Sequence, residues 1–157
     1  GDNFDVNDFE IRAPSTAGFA IPENQPVIIN EFIVDDGGTG QGEDWVEIYN
    51  KSGSSVDISN WTLRDTTGIF HTFPAATSIA TVSFIATPNF SNRLNNGGDK
   101  IYLFDSSGNL QDGISYFLFI PAVGKTIGSN PDGAETRAVF DTPSKGSSNG
   151  GTSTPWP

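Results

Sequence analysis

Glycine and proline punctuate this chain from end to end, 18 of the one and 10 of the other in 157 residues. In a helix interior each glycine costs about 1 kcal/mol and each proline about 3 kcal/mol relative to alanine. Long helices are therefore excluded, and short elements joined by turns remain. Between the breaks lie brief runs rich in β-branched and aromatic residues, the mark of strands. Residues 27–34 (VIINEFIV), 45–50 (WVEIYN), 69–73, 81–86 (TVSFIA), 100–105 (KIYLFD) and 110–116 read this way, with 139–141 closing the set. SSGN at 106–109 supplies a hairpin turn. In 56–65 (VDISNWTLRD), Val56 and Ile58 have one parity and Trp61 and Leu63 the other. A bulge near Ser59 and Asn60 would return all four to one face. Roughly eight strands with no helical period predict an all-β sandwich or barrel.

The apolar share is only 35%, but 12 Phe, 3 Trp and 3 Tyr concentrate it in large side chains. That suffices for one core in one domain. Residues 1–26 read as an N-terminal extension or linker that Phe4, Phe9, Ile11, Phe19 and Ile21 could dock, and 150–157 as a flexible C-terminal linker. No run of eighteen apolar residues occurs, so no membrane-inserting helix is expected. The acidic, polar start and the opening glycine read as a piece of a longer chain without a visible signal peptide.

A formal charge of −11 with eight scattered basic residues argues against nucleic acid as a partner. The absence of cysteine excludes disulfides, thiolate zinc sites and a cysteine nucleophile. His71, the single histidine, sits among bulky neighbours in IFHTF and reads as structural; no nucleophile-elbow pattern accompanies it. No catalytic residue is assigned. Glu31, Glu47, Asp65 and Asp99 read as residues that fix the fold, and Asn30, Asn50 and Asp65 as Asx-type holders of turn backbone.

One candidate metal site stands out. Asp35, Asp36, Glu43 and Asp44 lie among four glycines at 35–44, and hard carboxylate and backbone oxygens are what calcium takes. The spacing is not that of an EF-hand, and the competing reading is a solvated loop. Trp45, beside this loop, is the better candidate for a surface aromatic, whereas Trp61 belongs in the core. A candidate interface is the apolar run Phe117, Leu118, Phe119 and Ile120, because a two-sheet sandwich covers one face of each strand and leaves alternate residues outside. A fully buried strand is the competing reading of that run; cover by the N-terminal segment, a protein partner and a homodimer are the alternatives if it is exposed.

Several motifs stand in register along the chain. Asn30 and Glu31 stand in the first strand; Trp45, Glu47, Tyr49 and Asn50 form W-x-E-x-Y-N. Val56, Asp57, Ile58, Ser59, Trp61, Leu63 and Asp65 follow, then Phe73 and Pro74. Leu94, Asn96, Gly98, Asp99, Ile101 and Leu103, then Asp112, Ile114 and Tyr116, complete the middle. Ile127, Gly128, Pro131, Asp132 and Gly133 form the late motif, and the set as a whole resembles the lamin tail domain. Ser129 replaces that motif's arginine, which removes a cation for Glu31 or Glu47, and Lys145 replaces a proline in TPSKGSSN.

The resemblance covers roughly 27–149 and implies an immunoglobulin-like sandwich of two antiparallel sheets. It further implies a non-catalytic binding or positioning module of a bacterial exported or cell-surface protein, engaging a protein or cell-surface component. Two alternatives accompany it: an accessory domain of a secreted nuclease or phosphatase, and a calcium-dependent carbohydrate-binding module.

Overall fold

A computed structural model describes residues 21–34, 43–117 and 121–157. The strands are β1 (Val27–Ile33), β2 (Glu43–Asn50), β3 (Val56–Asp57), β4 (Thr62–Asp65), β5 (Gly68–Thr72), β6 (Ser78–Ile79) and β7 (Ser83–Ala86). They continue with β8 (Phe90–Ser91), β9 (Lys100–Phe104), β10 (Leu110–Ser115), β11 (Thr126–Ser129), β12 (Arg137–Phe140) and β13 (Ser153–Pro155). A large sheet runs β13-β12-β11-β1-β2-β7, with β8 also on β2; a four-stranded sheet runs β10-β9-β4-β5; β3 and β6 form a short ribbon. All pairings are antiparallel. The fold is the all-β sandwich that the punctuation predicts.

The core lies between the two main sheets. Val27, Ile29, Phe32, Val46, Ile48 and Ile127 project from one, and Leu63, Ile101, Leu103 and Ile114 from the other, while Ile58, Trp61, Phe73, Ile79 and Leu94 close its margins. Phe32 meets the Tyr116 ring at 5.4 Å across the interior.

Two irregularities set which residues face outward. In β1 the register slips between Ile29 and Glu31, leaving Asn30 as the extra residue. Val27 and Ile29 therefore face the core before the slip and Phe32 after it, while Glu31 turns to the outer face opposite Glu47. In 56–65 the sequence predicts a bulge within one strand, and the structure has a tight turn instead. Trp61 N–H donates to Ile58 C=O (3.1 Å), and Asn60 takes a left-handed φ of 61°. The chain changes partners there, β3 pairing with β6 and β4 with β5 and β9. Ile58 and Trp61 are both buried because the turn resets the parity.

The C-terminal segment corrects a second expectation. Residues 150–157 are no free linker: β13 pairs with β12, Trp156 N–H donates to Arg137 C=O (3.1 Å), and the Trp156 ring packs against the core. A single large apolar side chain near the end anchors a stretch whose composition is otherwise that of a spacer.

Candidate functional site

On most sandwiches the outer face of a sheet meets water. Here Glu31 and Ile33 of β1 and Trp45, Glu47 and Tyr49 of β2 are all buried, although they point away from the core. The cover is the chain after β11. Lys145 Nζ lies 5.5 Å from the centre of the Trp45 ring, so Trp45, expected at the surface, is a covered residue. Gly133, with φ of +76°, passes so close to Tyr49 that an added Cβ would sit 2.9 Å from Cε1. Residues 142–149 cross the sheet as a strap.

The strap is held by carboxylates. Glu31 accepts from Thr126 Oγ1 (2.5 Å), from Ser144 N–H (3.2 Å to each oxygen) and from Ser144 Oγ (2.8 Å). Glu47 accepts from Gly146 N–H and from Asn30 Nδ2 (3.3 Å). Asp132 accepts from Asn30 Nδ2 (3.0 Å), Asn149 N–H (3.0 Å) and Ser148 Oγ. The bulged Asn30 is the hub: its Oδ1 takes Gly133 N–H (3.1 Å), and its C=O takes Asn149 Nδ2 (3.3 Å) and Arg137 Nη1 (3.5 Å). Desolvation raises both glutamates above the ordinary carboxyl range, Glu47 to about 7, with their hydrogen bonds opposing the rise and the Asp132 charge adding to it. Glu31 adds a further push on Glu47.

Ser129, which stands where the resemblance expects arginine, is buried on β11 and pairs in register with Arg137 of β12. Arg137 supplies the guanidinium from the neighbouring strand, reaching Asn30 C=O and lying 3.9 Å from Asp112 Oδ2. Asp112 also accepts Ile29 N–H (2.8 Å), so the cation tightens the contact between the two sheets rather than a glutamate pair.

A second acidic group sits at the far end of the core. Asp65 accepts from Thr67 and Gly68 N–H (2.7 and 3.0 Å) and pairs with Arg93 Nε (2.8 Å). Asp99 accepts from Thr66 Oγ1 (2.8 Å) and Lys100 N–H (2.8 Å). Burial, with the charges of Asp99, Asp44 and Asp65, pushes the Tyr116 phenol well above its ordinary value. The Asx reading of Asp65 and Asn50 holds: Asn50 Oδ1 takes Ser52 N–H (3.0 Å) and its Nδ2 donates to Ser54 C=O (2.8 Å) and Ile79 C=O (3.1 Å).

Of the calcium candidates, Asp35 and Asp36 lie outside the described residues. Glu43 is exposed and accepts from Asn89 Nδ2, whereas Asp44 is buried and accepts Leu94 N–H, so the adjacent carboxyls leave β2 on opposite faces. Among the described residues no three His, Cys, Asp or Glu side chains come together in a way that would hold a metal ion. His71 packs edge-on to Phe73 (4.7 Å) and near Phe90 (6.0 Å), and its burial lowers its pKa. Of the candidate interface, Phe117 is 47% exposed and lies over Gly98, while Leu118, Phe119 and Ile120 lie outside the described residues.

Sequence reasoning placed Glu31 and Glu47 as structural but missed the strap, and with it Ser144, Gly146 and Asn149 as partners. The signal was present in the apolar and aromatic residues at both parities of β1 and β2, which only a sheet covered on both faces requires. No match was found among curated proteins. The family model described as Lamin Tail Domain matches residues 21–117, β1 to the end of β10. The chain belongs to the lamin tail domain family, a family of non-catalytic immunoglobulin-like modules.

Proposed function

We propose that this domain is a non-catalytic positioning module of a bacterial exported or cell-surface protein, holding a neighbouring domain or its carrier against a protein or cell-surface partner. The observation that carries the reading is the employment of its carboxylates. Glu31, Glu47, Asp65, Asp99, Asp112 and Asp132 each accept backbone N–H groups or internal side chains, and their task is to tie loops to sheets. General acid–base chemistry needs a carboxyl within reach of a substrate, and these are engaged inside the fold. The half-exposed Phe117 is an apolar contact available to a partner.

The test removes residues 21–157 from the parent protein and follows its distribution between the cell envelope and the medium. Loss of envelope retention, with the activity of any neighbouring domain intact, supports positioning. Unchanged retention would exclude it. Turnover of a phosphodiester or phosphomonoester by the purified domain would exclude the non-catalytic reading.

A further inference from the structure

The outer face of the four-stranded sheet differs in charge from the rest of the molecule. Arg64 of β4 and Lys100, Tyr102 and Phe104 of β9 point outward, since Leu63, Ile101 and Leu103 between them are buried in the core. Arg64 pairs in register with Ile69 of β5 on one side and Tyr102 on the other, and Tyr102 with Gly113 of β10. Ile69 is 54% exposed. The acidic residues of these strands, Asp65 and Asp112, are both buried. A chain of net charge −11 thus presents one sheet face whose described strand residues include two outward cations and no outward carboxylate; Asp105, in the turn after β9, is bonded to Asn109 and Gln111.

Arg64 is already arranged for recognition. Its guanidinium carbon lies 4.2 Å from the centre of the Phe104 ring, and its Nε donates to Thr62 Oγ1 (3.1 Å). Stacking on the ring and the Nε bond fix the plane of the fork, so little side-chain entropy remains to be lost when a carboxylate binds the two terminal nitrogens. Among the described residues neither Arg64 nor Lys100 has a carboxylate within salt-bridge distance.

We propose that this face docks the chain's own acidic N-terminal segment, residues 1–12, with its carboxylates on Arg64 and Lys100 and its apolar side chains beside Ile69 and Phe104. The chemistry is complementary: GDNFDVNDFEIR interleaves Asp2, Asp5, Asp8 and Glu10 with Phe4, Val6, Phe9 and Ile11. The reach is sufficient, because residues 1–20 extended span up to about 65 Å. They join the fold ahead of β1, whose Ile29 is bonded to Asp112 at the edge of the same four-stranded sheet. Tethering makes the encounter intramolecular, so a weak contact suffices.

Arg12 provides the readout. Cleavage after Arg12 by an arginine-specific protease is timed in the intact chain and in the free peptide 1–20, and protection is the ratio of the two rates. At low salt the intact chain is protected roughly tenfold, as expected when cleavage samples only the undocked population. The protection is lost in Arg64→Glu/Lys100→Glu and in 0.5 M salt, and it returns when Asp5→Lys and Asp8→Lys are combined with that pair, each variant being compared with its own free peptide. Should the sheet variants fail to fold, Asp2→Asn/Asp5→Asn/Asp8→Asn/Glu10→Gln leaves the sandwich untouched and must abolish protection by itself. Equal rates in the intact chain and the peptide overturn the proposal. So does protection that rises with protein concentration, which would assign the face to a second copy.

Discussion

Glu31 and Glu47 face each other in register across β1 and β2, and each carboxylate takes a backbone N–H from the same crossing segment, Ser144 on one and Gly146 on the other. Burial strips the Glu47 carboxyl of water, and the neighbouring Glu31 adds a smaller like-charge push, which is why Glu47 holds its proton to about pH 7.

The first expected outcome is a pH dependence. Unfolded, the Glu47 carboxyl titrates near 4.5; folded, near 7. Between these values the native state binds the extra proton, so stability falls as pH rises through the window and is flat above it. At about 1.4 kcal/mol per unit, the loss is on the order of 3–4 kcal/mol. Glu31 acts in the same direction, and the lowered His71 opposes it below 6.5. Urea unfolding of the native chain and Glu47→Gln at pH 5 and pH 8 isolates the contribution. The native chain loses more stability between the two values than the variant does.

Trp61 closes the margin of the core beside a turn that exists to place it. Trp61→Ala is expected to cost about 3–5 kcal/mol, the range for emptying a large aromatic site. Denaturant midpoints measure it, and a cost below 1 kcal/mol would contradict the packing described.

Gly98 and Gly108 form a controlled pair. Both have positive φ, +113° and +82°, but a Cβ on Gly98 would lie 2.9 Å from Phe117 Cα while one on Gly108 would meet nothing within 4 Å. Gly108→Ala should cost only the backbone strain, about 1 kcal/mol, and Gly98→Ala should cost distinctly more, about 2–4 kcal/mol, because backbone cannot step aside. Thermal unfolding of the two variants gives the difference directly.

Trp156→Ala tests whether the C-terminal residues belong to the fold. The ring packs against the core and its strand borders β12, so about 1–3 kcal/mol should be lost, and removal of 150–157 should cost at least as much. A melting temperature unchanged by either alteration would return the segment to the status of a spacer.

The architecture was legible because its determinants are local. Glycine and proline spacing, alternation in β9 and the Asx residues Asn50 and Asp65 each act within a few positions, and the structure agrees with all three. What escaped depends on distance along the chain. Nothing near Trp45 or Glu47 indicates that Lys145 and Gly146 will lie over them, and a parity break in 56–65 has the same signature whether a bulge or a turn with a change of sheet resolves it. The compensation of Ser129 by Arg137 was hidden for the same reason: the cation arrives from the next strand, not from the motif.

The position of β1 also dictates a timetable for the molecule. One neighbour, β2, is made within the following few residues, but the other, β11, comes nearly a hundred positions later, and β12 and β13 later still. Sheets closed by such distant pairing fold slowly, because the loop must close before the contact rewards it. During synthesis at about 5–20 residues per second, the buried acids of β1 and β2 spend several seconds without their strap. Until it arrives, Glu31 and Glu47 can stay hydrated and charged, which holds one side of the nascent sheet soluble. The same pair that strains the finished domain at neutral pH thus guards the unfinished one against sticking to its neighbours.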